Sequence, residues 1–110
     1  MPQITKQYKF CAAHKYWNDN WDENTNIEVF DKDVKLHGHN YDLYVTIKGP
    51  IDSDSGFIIN LKYLNKIVSD KVIEVLDHSL IQDNEWFKGK QPSTENLVQF
   101  IWHQILPEIS

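Results

Sequence analysis

The sequence is poor in cysteine, short of basic residues and free of long apolar runs. Cys11 is the single cysteine in 110 residues, which excludes an intramolecular disulfide and gives no sign of an oxidising compartment. No stretch approaches the ~20 apolar residues of a membrane-spanning helix. Met1-Pro2-Gln3-Ile4-Thr5-Lys6 lacks the apolar centre of a signal peptide, so the expected location is the cytoplasm. Lys and Arg number 11 against 16 Asp and Glu, a net charge of −5, and no basic cluster interrupts that balance. A nucleic-acid surface is therefore not expected, and an anionic substrate would need local attraction. Repeats, linkers and low-complexity segments are also absent, so residues 1–110 read as one domain. Aromatic residues are plentiful, with four Trp, five Tyr and five Phe.

The chemistry concentrates in Leu36-His37-Gly38-His39-Asn40-Tyr41. In a strand alternate side chains share a face, which sets His37 and His39 about 6.5 to 7 Å apart at Cα on one side. Gly38 between them is expected to let a third ligand or a substrate come close to the backbone. His14 ends the apolar run from Tyr8 and supplies a third imidazole. Three neutral imidazoles with an open fourth position suit catalytic zinc, whereas a structural site is normally closed by cysteines. A His-x-His pair taken alone is more often ordinary surface or core histidine.

From Ile4 to His14 the even positions form the mostly apolar face of a half-buried strand that includes His14. Cys11 then points away from the metal and reads as a small buried apolar residue. Residues 16–35 are polar and turn-rich, a long excursion with one helical turn near Asn26 to Phe30. Connections of that length tend to be functional. Asp33, four residues before His37, can fold back over the metal. A second strand runs from about His37 to Gly49, with His37, His39, Tyr41, Leu43, Val45 and Ile47 on one face. Asn60 caps a helix whose stripe is Leu61, Leu64, Ile67, Val68, Val72, Val75 and Leu76. Asp77-His78 follows, either a surface pair or a carboxylate that fixes an imidazole for proton transfer. Residues 85–91 read as a loop. Pro92-Ser93-Thr94-Glu95 opens the second helix, with Ser93 or Thr94 as cap, and Leu97, Val98, Ile101, Trp102 and Ile105 as its apolar stripe. His103 is expected to be exposed and Pro107 to close the helix.

Phe10-Cys11-Ala12-Ala13-His14, Leu36-His37-Gly38-His39-Asn40-Tyr41, Leu76-Asp77-His78 and Pro92-Ser93-Thr94-Glu95-Asn96-Leu97 resemble, in order and separation, the 6-pyruvoyl-tetrahydropterin synthase and 6-carboxytetrahydropterin synthase family. The resemblance covers nearly the whole chain. It implies an α+β tunnelling fold, an antiparallel sheet packed by two helices and closed into a barrel by oligomerisation as a homotrimer or homohexamer. It also implies Zn²⁺ held by His14, His37 and His39, and action on 7,8-dihydroneopterin triphosphate, a small-molecule pterin. Asp77 and His78 would belong to the proton relay, and Thr94 and Glu95 to a pterin pocket formed across a subunit boundary.

Two departures accompany the resemblance. Where the family places a cysteine base before His-Gly-His, this chain has Asp33, and relatives with an acid near there give 6-hydroxymethyl-7,8-dihydropterin for folate synthesis. Biopterin and queuosine synthesis are the other pathways the family serves. The family also continues past the second helix with two more strands, the first carrying a glutamate that anchors the pterin. The chain stops at Ser110, before both, which implies a C-terminally incomplete domain. The expected function is a zinc-dependent pterin synthase or lyase. The rival is a catalytically impaired pterin- or zinc-binding paralogue that kept the cage and lost the base.

Overall fold

The structure, a computed structural model, describes residues 1–109. Strand β1 (Gln3–His14) and strand β2 (His37–Lys48) pair antiparallel along their whole length, from Gln3 opposite Lys48 to His14 opposite His37. That register joins the even positions of β1 to the odd positions of β2 on one face, as the alternation predicts. Phe10, Ala12 and Val45 are buried there. The other face is polar and pairs across the strands, Thr5 Oγ1 with Thr46 Oγ1 at 2.8 Å and Gln7 Nε2 donating to Tyr44 Oη at 3.2 Å.

The excursion between the strands is more regular than its composition suggests. Helix α1 (Glu23–Phe30) starts three residues earlier than expected because Asp22 caps it, accepting from Thr25 N. Its one buried residue is Asn26, whose Nδ2 donates to the carbonyls of Asn18 and Asp22 at 3.0 Å and whose Oδ1 accepts from Asn18 N at 2.7 Å. A polar hub thus replaces an apolar stripe, which is why hydrophobic periodicity missed this helix. A 3₁₀ turn, Asp31–Val34, then leads to β2.

Helix α2 (Leu61–Val68) is capped by Asn60, as its sequence predicts, and runs through a π turn, Ser69–Ile73, into α3 (Glu74–Leu76). The wide turn keeps Leu64, Val68, Val72 and Leu76 in line and fully buried. It rotates Val75 outward, and Leu61 is also exposed, so both leave the expected stripe. Each fully buried aliphatic side chain contributes about 1.5–3 kcal/mol. A π turn disturbs the main-chain ladder, and here Gln104 Nε2 donates to Lys71 O at 2.9 Å.

Beside the two expected strands a third, β3 (Ser79–Leu80), pairs parallel with Ala12 and Ala13, so the sheet is mixed rather than antiparallel, with the order β2-β1-β3. Residues 85–91 are only partly loop: Glu85–Phe87 is a 3₁₀ turn, and Phe87 joins the core with Ile81. Helix α4 (Thr94–Ile109) buries Leu97, Phe100, Ile101 and Ile105, while Val98 and Trp102 lie exposed at 59% and 61% and leave the expected stripe. Ser93 is the cap, its Oγ accepting from Asn96 N at 3.2 Å. Pro107 sits inside the last turn, and the helix continues to Ile109. His103 is exposed, as expected. No helix among the described residues is long and apolar enough to cross a membrane.

Candidate metal centre and active site

His14 closes β1 and His37 opens β2 directly opposite it, while His39 lies opposite Ala12. All three share the inner face. Their ring centroids stand 4.5 Å (His14 to His37), 4.8 Å (His37 to His39) and 5.0 Å (His14 to His39) apart. One ring nitrogen from each lies within 4.8 Å of the other two.

Main-chain carbonyls fix two of these rings. His14 Nδ1 is 2.7 Å from Pro92 O and His37 Nδ1 is 2.8 Å from Lys35 O. A nitrogen facing a carbonyl must donate, so in both rings Nε2 is left with its lone pair. His14 is 2% exposed and its Nε2 is buried without a hydrogen-bond partner. Such an orphan costs free energy unless an ion or donor meets it. Burial holds the His14 imidazole below its ordinary pKa, and His37 and His39 push the same way, against the Pro92 hydrogen bond and Asp33. A buried, neutral imidazole with a free lone pair beside two others fits a metal ion.

Asp33 folds back as its position predicts, with Oδ1 3.7 Å from His37 Nε2. Its main chain is pinned by Tyr16 N–H donating to Asp33 O at 2.8 Å. The Tyr16 ring packs on His14 at 4.9 Å and on Phe30 at 5.4 Å. Burial raises the Tyr16 hydroxyl pKa, and the carboxylates of Asp33 and Glu95 raise it further, so the phenol stays protonated between them. Tyr16 belongs to no motif, and the motif that begins at Pro92 does not announce its carbonyl's role; only folding brings the two to the histidines. Thr94 and Glu95 are exposed on the first turn of α4.

Asp77 and His78 are elsewhere. Asp77 Oδ1 accepts from Cys11 N at 2.8 Å, and His78 N donates to Cys11 O at 2.6 Å. The Cys11 hydrogen bond is the main reason that the Asp77 carboxyl lies below its ordinary pKa. Asp77 Oδ2 lies 3.1 Å from His78 Nδ1, the carboxylate–imidazole pairing read from the sequence. His78 has a left-handed φ of 58°, and its side chain is 82% exposed. It lines a hollow of about 530 Å³ with Cys11, Gly38, His39 and Asn40. Cys11 and Asn40 alternate with His14 and His39 and so face the other side of the sheet. The three-histidine cluster does not include His78, although His39 borders the same hollow.

One smaller expectation is corrected on this outer face. Cys11 points away from the histidines, as predicted, but is exposed rather than buried, with Sγ 2.9 Å from Asn40 Oδ1. Gly38 lines the same hollow as His39, so the backbone there is open to an approaching group. A Cβ there would lie 3.8 Å from Ala12 O, an ordinary contact.

The geometry defines an α+β tunnelling-fold protein with a three-histidine centre able to hold a metal ion. The sequence profile of 6-pyruvoyl tetrahydropterin synthase matches residues 3–110. The chain is 36% identical over 107 residues to the 6-pyruvoyl tetrahydrobiopterin synthase of Dictyostelium discoideum, covering 96% of this chain and 79% of that protein. It is 34% identical over 105 residues to that of Drosophila melanogaster, covering 93% and 62%. The solved structure of Caenorhabditis elegans 6-pyruvoyl tetrahydropterin synthase superposes with a TM-score of 0.87 at 30% identity, covering all of this chain and 81% of that one. The chain belongs to the 6-pyruvoyl tetrahydropterin synthase family.

Proposed function

We propose that the protein is a zinc-dependent pterin synthase or lyase acting on 7,8-dihydroneopterin triphosphate, with loss of triphosphate and formation of a 6-carboxy, 6-pyruvoyl or 6-hydroxymethyl pterin. The observation that carries the reading is the buried, unpartnered Nε2 of His14 facing His37 and His39. His14, His37 and His39 would hold Zn²⁺, which as a Lewis acid lowers the cost of charge developing on a side-chain oxygen of the substrate. The protein's own groups do the rest. The carbonyls of Pro92 and Lys35 keep His14 and His37 in the ligating tautomer. Asp33 lies where the family has its cysteine and is the candidate base. Thr94 and Glu95 are the candidate pterin contacts.

Asp77 and His78 enter this reading as the proton relay of a neighbouring copy. The exposure of His78, at 82% and outside the three-histidine cluster, supports it. A homotrimer or homohexamer follows as the working assembly, in the cytoplasm. The second reading, a pterin- or zinc-binding paralogue without turnover, is favoured by one feature. A carboxylate beside a cation is driven to lower basicity than a thiolate.

The test is mass-spectrometric product analysis of the zinc-loaded protein after incubation with 7,8-dihydroneopterin triphosphate. A 6-substituted product with release of triphosphate is expected. Intact substrate, bound to a zinc-loaded oligomer, would replace the enzyme reading with the paralogue.

A further inference from the structure

Gln91 lies just before the helix-opening motif and belongs to none of the groups discussed so far, yet its side-chain amide is used at both ends. Its Oε1 accepts from Trp17 N at 3.2 Å and its Nε2 donates to Trp17 O at 2.8 Å, a two-point clamp across 74 residues of sequence. Its own carbonyl accepts from Asn96 Nδ2 at 2.9 Å, so the clamp is anchored on the first turn of α4. The neighbours on either side of this clamp are the residues that orient the metal centre. Pro92, next in sequence, gives the carbonyl that holds His14 Nδ1 at 2.7 Å. Tyr16, next to Trp17, gives the N–H that holds Asp33 O at 2.8 Å.

We propose that Gln91 is a positioning residue, locking the carbonyl that aims His14 and the backbone that carries Asp33 into one rigid unit. The inference rests on the zinc reading given above. Its physical basis is that an imidazole ligand is only as well aimed as the acceptor on its other nitrogen. Pro92 has no N–H of its own with which to anchor that acceptor. The segment 88–93 lies outside regular structure, so the Gln91 side chain and Asn96 do what a sheet or helix ladder does elsewhere. Asn26 ties the rest of the excursion to itself, through Asn18 and Asp22. Gln91 is the amide that ties it to α4.

Three variants of the full chain test this. Gln91→Ala removes the clamp, Gln91→Glu keeps an acceptor for Trp17 N–H and loses the donor to Trp17 O, and Asn96→Asp loosens the same node from the other side. Zinc affinity is measured by competition with a chromophoric chelator, and the His14 Nδ1–H resonance is followed by NMR in the metal-free protein. Gln91→Ala is expected to weaken zinc binding by about 10–100-fold, the usual effect of removing an orienting partner. It is also expected to speed solvent exchange of the His14 Nδ1–H and to lower kcat while leaving KM nearly unchanged. Asn96→Asp should show the same pattern, and Gln91→Glu an intermediate one.

A change in melting temperature alone, with zinc affinity and the Nδ1–H signal as in wild type, overturns the proposal and leaves the zinc reading standing. A wild-type protein that binds no zinc overturns both, and is told apart because the unmodified chain itself fails.

Discussion

Asp33 Oδ1 stands 3.7 Å from His37 Nε2, on a side chain that is 55% exposed above a fixed backbone. The carboxylate can pivot while its attachment cannot. If it is the base, Asp33→Ala should reduce turnover by about 100-fold or more, the usual contribution of a positioned acid or base, with pterin binding retained. Turnover equal to wild type would remove Asp33 from the mechanism.

Zinc content follows from the three imidazoles. The wild type is expected to carry about one zinc per subunit, and His37→Ala to lose it, because three protein ligands are the minimum of a catalytic zinc site. Metal analysis after extensive dialysis decides this, and stoichiometric zinc retained by His37→Ala would refute the assignment.

A relay supplied by His78 of a neighbouring copy predicts complementation. His37→Ala and His78→Ala should each be inactive alone, and a mixture allowed to exchange subunits should regain part of the activity. If the mixture stays dead although native mass spectrometry shows mixed oligomers, the relay does not work between copies.

Acid sensitivity can be traced to Asp77. Its folded-state pKa is depressed, chiefly by the Cys11 N–H, so its contribution to stability is complete above the ordinary carboxylate pKa of about 3.9. That contribution is lost as pH falls further, through the folded value. Urea midpoints measured between pH 6 and about 3 should therefore fall less steeply for Asp77→Asn than for wild type. Parallel curves would show that the Cys11 hydrogen bond does not favour the ionised form.

The π turn makes a paired prediction about the core. Leu64→Ala should cost about 2–5 kcal/mol, because Leu64 is fully buried. Val75→Ala should cost only about 0.5 kcal/mol, since Val75 is 39% exposed. Chemical denaturation measures both, and equal losses would mean that α2 and α3 form one regular helix with Val75 facing inward.

Strict alternation along residues 4–14 and 37–48 was enough to set both strands, their shared inner face and the three histidines on it. A period of two fixes the face each residue takes, which puts Phe10, Ala12 and Val45 on the buried side. Asn60 and Ser93 marked helix starts because a cap is a local interaction. What depended on distant residues was not legible. Helix α1 is held by the buried amide of Asn26 rather than by an apolar stripe, and the π turn changed the phase that placed Val75. Strand β3 is two residues long and is defined only by its pairing with Ala12 and Ala13 of β1.

The sequence by itself therefore determined the family, the two long strands and the identity and face of the three imidazoles, because spacing and alternation are local properties of the chain. The tertiary structure alone decided which nitrogen of His14 is free, since that depends on a carbonyl 78 residues away. It alone set the Gln91 clamp, and it alone left His78 outside the three-histidine cluster. Those are relations between segments that meet only when the chain folds.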